Sequence, residues 1–223
     1  MIRRTIPQKT ISNEVQLNGV GLHTGQKVNI KFRPAPVDTG LVFIREDLLE
    51  DNLIDANIRY ISNTDRGTNI DNGIVRIQTS EHVLAALVGL GIDNCFISLD
   101  GPEVPIMDGS SKDFIEVLEQ AEIKEQSILR EEFFPDNPII FKDEESGGEI
   151  SLIPHKNYSL DTTVDYGTKV LGTQKASIDD ISEFKEEIST ARTFSFLHEL
   201  EMLLDNGLIK GGDLNNAIVY VDK

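Results

Sequence analysis

Cysteine is nearly absent: Cys95 is the only one in 223 residues. A lone thiol excludes an internal disulfide framework and fits a reducing compartment. Basic residues are also scarce, 21 Lys and Arg against 38 Asp and Glu, for a formal net charge of −17. Binding to phosphate backbones needs a surplus of Lys and Arg, so the balance argues against nucleic acid as a partner and against simple electrostatic docking on anionic lipid. No apolar run reaches transmembrane length, so no stable membrane insertion is expected. The N-terminal Met1-Ile2-Arg3-Arg4-Thr5-Ile6-Pro7 is basic but lacks the apolar core of a signal peptide. These absences describe a cytoplasmic protein. An acidic surface overall still leaves room for a local basic pocket that takes a phosphorylated small molecule.

What is present is an ordinary globular composition, 39% hydrophobic and 26% charged, in a chain long enough for one large domain or two small ones. The most informative stretch is Thr79-Ser80-Glu81-His82, which runs into Val83-Leu84-Ala85-Ala86-Leu87-Val88-Gly89-Leu90-Gly91. A carboxylate and an imidazole stand side by side in the first turn of a helix that is apolar nearly all round, and such a helix is buried. An ionisable pair there is costly unless it has a use or a partner. The positive end of the helix dipole favours a negative charge and disfavours an imidazolium. A neutral imidazole is a metal ligand and a carboxylate is a base. The same residues also read as the polar solvent end of a capped core helix, and spacing alone leaves the two readings level.

The first half begins β-rich. Residues 10–17 read as a strand, Asn18-Gly19 as a turn, and Val28, Ile30 and Phe32 alternate with polar residues. Residues 41–45 start another strand, and a loop-rich stretch follows over 51–72. Gly91 reads as a helix C-terminal cap and 94–99 as a strand. Ser110 reads as the cap of a second helix, with Asp113 in the capping-box position and Phe114, Val117, Leu118 and Ala121 on its apolar face. Residues 128–137 read as a linker. The order then repeats: strands over 138–141, 149–153 and 158–165, a helix over 179–188, and a second helix over about 196–205. The pattern predicts an α+β fold, with a first domain at 1–127 and a related second domain at 138–223 that is short of elements.

The chemical inventory is small. Of four histidines, His23 lies in the glycine-rich Gly19-Val-Gly-Leu-His-Thr-Gly25, which reads equally as a phosphate cradle or as a tight turn. His155 reads as solvent-exposed, and His198 as lying off the apolar face of its helix. Cys95 sits in an apolar strand and reads as core.

Taken together, the motifs resemble the zinc-dependent UDP-3-O-acyl-N-acetylglucosamine deacetylases of lipid A biosynthesis. The resemblance is carried by Gly19-Val-Gly-Leu-His-Thr-Gly25, Arg33-Pro-Ala-Pro36, Thr79-Ser-Glu-His82 with Ala85-Ala-Leu-Val-Gly-Leu-Gly-Ile-Asp-Asn94, Pro102-Glu-Val-Pro-Ile-Met-Asp-Gly-Ser110, Ala191-Arg-Thr-Phe194 and Gly207-Leu-Ile-Lys-Gly-Gly212. They stand in the family order from about Thr10 onward. The resemblance implies two β-α sandwich domains with the active site between them, the second incomplete here. It implies that His82 is a Zn2+ ligand, that Glu81 is the base acting on a zinc-bound water, and that Thr193 polarises the scissile carbonyl. It implies that Leu22, His23 and Thr24 lie near the site. Phe194, Glu199, Leu200 and the segment on to Gly212 would belong to an insert, about 194–216, that receives the acyl chain of a UDP-sugar lipid precursor. No protein partner is implied. Zinc lowers the pKa of bound water to about 7, the chemistry amide hydrolysis requires.

The departure lies downstream. Family members carry a later His-Lys-x-x-Asp-x-x-Gly-Asp segment with the second and third zinc ligands, and beyond it a histidine that acts as general acid. Neither His155 nor His198 matches. The expectation is an N-terminal fragment that is inactive by itself. In some members the deacetylase is fused to a 3-hydroxyacyl-carrier-protein dehydratase. The alternative reading is a non-catalytic sugar-nucleotide or acyl-chain binding module.

Overall fold

The structure, a computed structural model, describes residues 1–221. Its first half is built on a five-stranded sheet in the order Val15–Val20, Lys27–Pro34, Cys95–Leu99, Leu41–Arg45, Leu53–Asp55. All neighbours are antiparallel except Cys95–Leu99 against Leu41–Arg45. The alternation seen in the sequence sets the faces: Val28, Ile30 and Phe32 are buried, while Lys27, Asn29 and Lys31 point away. Ile97 lies opposite Phe32 on one side and Phe43 on the other, and all three are fully buried.

Helix α1 (Glu81–Gly89) and helix α2 (Lys112–Gln120) cover the inner face of this sheet. Val83, Ala86 and Leu87 come from α1; Phe114, Ile115, Val117 and Leu118 come from α2, and all join the same core. Phe114 meets Phe32 edge-on at 6.4 Å between ring centres, a favoured aromatic geometry. Gly91 follows α1 with φ +68°, its N–H bonded to Val88 O and that of Ile92 to Leu87 O. This pair of bonds is a Schellman closure, which needs the left-handed conformation glycine supplies. At α2 the expected capping box is absent. The N-cap is Ser111, without a side-chain cap, and Ser110 Oγ instead accepts from Lys112 N–H and donates to Asp108.

The stretch 51–72 is less irregular than expected. It holds Leu53–Asp55 and two strands of a small sheet, Ile61–Asn63 and Asn69–Asp71, the third being Arg76–Ile77. The frequent Asn and Asp hid single buried anchors, Ile54 and Ile70. The stretch read as a linker is partly paired: Ile123–Leu129 runs along Pro7–Ile11, and Glu132–Phe133 along Ile2–Arg3.

The second half is thinner. Two exposed hairpins, Ile139–Lys142 with Glu149–Leu152 and Leu160–Asp165 with Thr173–Ile178, lead to a short helical passage. The helix expected over 179–188 is one 3-10 turn, Ile181–Glu183, followed by a single turn, α3 (Phe184–Glu187). Phe184 enters the first-half core beside Gly89, where a Cβ would stand 2.3 Å from its ring. Helix α4 (Leu197–Asp205) follows a strand, Phe194–Phe196, that pairs in parallel with Ile218–Tyr220. The result is α+β. Among the described residues no helix is long and apolar enough to cross a membrane.

Candidate active site

The glycine-rich stretch after Val20 is a tight turn between two sheet strands. Gly25 N–H donates to Gly21 O and Gly21 N–H to Gln26 O. The turn is held from below by a residue to which the sequence assigned no role. Glu103 is 1% exposed, and its carboxylate accepts from the N–H groups of His23 and Thr24, both at 2.8 Å, and from Thr79 Oγ at 3.0 Å. A buried carboxylate is tolerable only with such partners. Here it ties the Leu22-His23-Thr24 turn to the residue two positions before Glu81. A Cβ on Gly21 would lie 2.3 Å from Glu103 Oε2, so the close approach needs glycine there. Thr79 itself adopts φ +56°, an uncommon conformation for threonine.

Glu81 and His82 open α1 as expected. Glu81 Oε2 accepts from Thr68 N–H at 2.8 Å. Ser80 turns away from the helix, and its Oγ and N–H both donate to Thr68 O. His82 is half-buried. Burial pushes its imidazole below the ordinary pKa, against the charges of Glu81 and Asp108, so the ring is neutral and has a free electron pair to offer. Its backbone carbonyl accepts from Ser111 Oγ.

The 190s and 200s fold back onto this region through close backbone contacts. Thr193 N–H donates to Gly109 O at 2.7 Å, and Gly211 N–H to Leu22 O at 3.0 Å. Gly109 and Gly211 leave no room for a side chain: a Cβ would stand 2.1 Å from Asn216 O or 2.3 Å from Gly21 O, respectively. Arg192 strengthens the fold-back by donating to the carbonyls of Asp108 and Asn215.

Between these segments lies an apolar cavity of about 300 Å³. Leu22, His23, Thr193, Phe194, Leu200 and Gly212 line it, together with Arg66, Leu203, Leu204, Ile209 and Val219. Six of the sequence-selected residues thus share one wall system. Thr24 lies behind it on Glu103, Glu199 at its rim, and Glu81 is reached through the turn 66–68. Phe194 meets Tyr166, Phe196 and Tyr220 edge-on, at 5.3, 5.9 and 5.6 Å. His23 is buried, with Nε2 3.2 Å from Arg66 O and Nδ1 without a hydrogen-bond partner. His198 stacks on Phe196, and His155 stands in an exposed turn.

Nothing in the sequence around Arg66 marks it as a site residue. Its guanidinium grips Glu199 through two hydrogen bonds, at 2.7 and 3.3 Å. That bond holds the Glu199 carboxyl below, and the guanidinium above, their usual ranges. Among the described residues, no group of three or more His, Cys, Asp or Glu is placed to hold a metal ion.

Comparison with known proteins bears on the chemistry. The family model described as UDP-3-O-acyl N-acetylglycosamine deacetylase matches residues 8–223. A bifunctional enzyme LpxC/FabZ of Chlorobaculum tepidum is 45% identical over 219 residues, which cover 98% of this chain and 47% of the relative. A UDP-3-O-acyl-N-acetylglucosamine deacetylase of Teredinibacter turnerae is 42% identical over 221 residues, covering 98% of this chain and 72% of that protein. One from Legionella pneumophila is 41% identical over 220 residues, with 97% and 72% covered. The chain therefore spans about half the length of the bifunctional relatives.

Proposed function

This chain belongs to the UDP-3-O-acyl N-acetylglycosamine deacetylase family, and from that premise we propose that the full-length protein hydrolyses the N-acetyl group of UDP-3-O-acyl-N-acetylglucosamine. This would be the committed step of lipid A biosynthesis, carried out in the cytoplasm. The observation that carries the reading is the near-complete match to relatives named as deacetylases, 98% of the chain at 42% identity.

In this reading the labour divides among residues of the chain. Glu81 is the base: its carboxylate is oriented by Thr68 N–H and takes the proton of the attacking water, while protonation of the departing amine falls to the downstream histidine that the family resemblance implies. Thr193, fixed by its N–H to Gly109 O and its O to Ile218 N–H, is a donor to the carbonyl oxygen as charge develops there. The apolar cavity beside it takes the 3-O-acyl chain, and its volume of about 300 Å³ falls at the small end of ligand sites.

Zinc is part of the proposal, with His82 as one donor, since a neutral imidazole suits that role. A catalytic zinc needs three protein donors, and the described residues bring no such cluster together. The residues of this chain therefore do not fit a complete zinc site on their own. We accordingly expect the 223 residues alone to hold zinc weakly and to release no acetate. The test is acetate release by the full-length protein before and after complete removal of zinc. Equal activity in both states would overturn the metal requirement. Substrate binding without any acetate release would favour a binding module instead.

A further inference from the structure

Three consecutive residues join the candidate base to the apolar cavity. Thr68 N–H donates to Glu81 Oε2 at 2.8 Å, and Thr68 O accepts from Ser80 N–H and Oγ at 3.1 and 2.9 Å. Thr68 thus fixes both the carboxylate and the head of α1. Gly67 lies against the same carboxylate: a Cβ there would stand 3.4 Å from Glu81 Oε1. Arg66 precedes it with φ +59°, a left-handed conformation uncommon for a residue with a side chain. Its carbonyl is engaged by His23 Nε2, and its guanidinium by Glu199.

Glu199 sits in the first turn of α4, where its carboxylate also accepts from Phe196 N–H and Ser195 Oγ at 3.4 Å. The same helix gives Leu200, Leu203 and Leu204 to the cavity. Most surface ion pairs contribute little, but two-point guanidinium–carboxylate contacts are the geometrically demanding exception. This pair joins residues 133 apart in the chain.

We propose that residues 66–68 form a positioning strap, through which occupation of the cavity by an apolar tail is felt at the Glu81 carboxylate. A tail against Leu200 and Leu203 bears on α4. Glu199 carries that to Arg66, and the turn carries it to the Thr68 N–H that orients Glu81. The segments are contiguous and hydrogen-bonded, which gives such coupling a physical path. It also provides a route by which binding energy from a remote part of a substrate acts at the reacting centre. Arg66 and Thr68 are then positioning residues. The inference rests on reading the cavity as the acyl site.

Backbone amide resonances of the isotope-labelled full-length protein test it without catalysis. The probe is octyl β-D-glucoside below its micelle concentration, with methyl β-D-glucoside as the tail-free control. The octyl compound alone should move the Leu200 and Leu203 amides and, with them, the Thr68 amide. In Arg66→Ala the cavity amides should still move and the Thr68 response should be lost, with Arg66→Lys restoring part of it. Should Arg66→Ala fail to fold, Glu199→Gln must produce the same uncoupling. If Leu200 and Leu203 do not respond in the wild type, the acyl reading of the cavity falls and the strap with it. If they respond but Thr68 does not, or responds equally in Arg66→Ala, the strap is refuted while the cavity reading stands.

Discussion

Gly109→Ala should break the junction on which the candidate site depends. Gly109 has φ +87°, and a Cβ there would stand 2.1 Å from Asn216 O and 2.9 Å from its carbonyl carbon. These are backbone atoms, so no side-chain rotation relieves the clash. The left-handed conformation costs an alanine about 1–2 kcal/mol and overpacking a further 1–3 kcal/mol, together about 2–5 kcal/mol. That is a large share of the roughly 5–15 kcal/mol that holds a protein folded. Gly40→Ala is the matched control, because Gly40 has φ +74° but nothing within 4 Å of the added carbon; it should cost only about 1–2 kcal/mol. Urea denaturation of both variants reads the difference as a shift in midpoint at constant slope. Because Thr193 N–H donates to Gly109 O, Gly109→Ala in the full-length protein should also slow deacetylation, while Gly40→Ala should not. Equal destabilisation by the two substitutions would refute the close-approach reasoning.

Three further outcomes follow from the same geometry. Leu200→Glu in the full-length protein should lower kcat/KM for a long-acyl substrate far more than for one lacking the chain, because the charge would face the cavity wall; an unchanged ratio would make Leu200 ordinary core. Burial holds His82 neutral below its ordinary pKa of 6.5, so as pH falls through that value the unfolded chain takes up a proton that the folded chain refuses. Stability should therefore rise with pH across this window and drop on its acid side, and His82→Gln should flatten the dependence measured by urea titration between about pH 5 and 7.5. Burial pushes the Cys95 thiol up to about 12, so iodoacetamide at pH 8 should leave the native chain unlabelled and label it quickly once unfolded.

Local periodicity made the sheet and its helices legible. The Val28, Ile30, Phe32 alternation and the apolar face of α2 each depend on residues two to four apart, and Gly91 closes α1 with bonds inside its own turn. The illegible features all depend on distant partners. Glu103 acquires meaning from His23 and Thr24, 80 and 79 positions earlier, and from Thr79, and Arg66 from Glu199 and His23. The strand Phe194–Phe196, whose last residue the helical pattern claims, depends on a pairing partner, Ile218–Tyr220, that follows α4. The helix expected over 179–188 shrank because Phe184 is drawn into the first-half core, where tertiary contact overrides local preference. The glycines of the motifs were visible, but the carbonyls crowding Gly109 and Gly211 were not.

The proposed mechanism has Glu81 as the base in amide hydrolysis and His82 as a zinc ligand. Acetate release and zinc content of the full-length protein, measured together in Glu81→Gln and His82→Ala, test it most directly. Glu81→Gln should retain zinc and lose about two to four orders of magnitude in turnover, whereas His82→Ala should lose zinc affinity as well as rate. Near-normal turnover in Glu81→Gln would rule Glu81 out as the base and leave it as no more than the polar end of a buried helix.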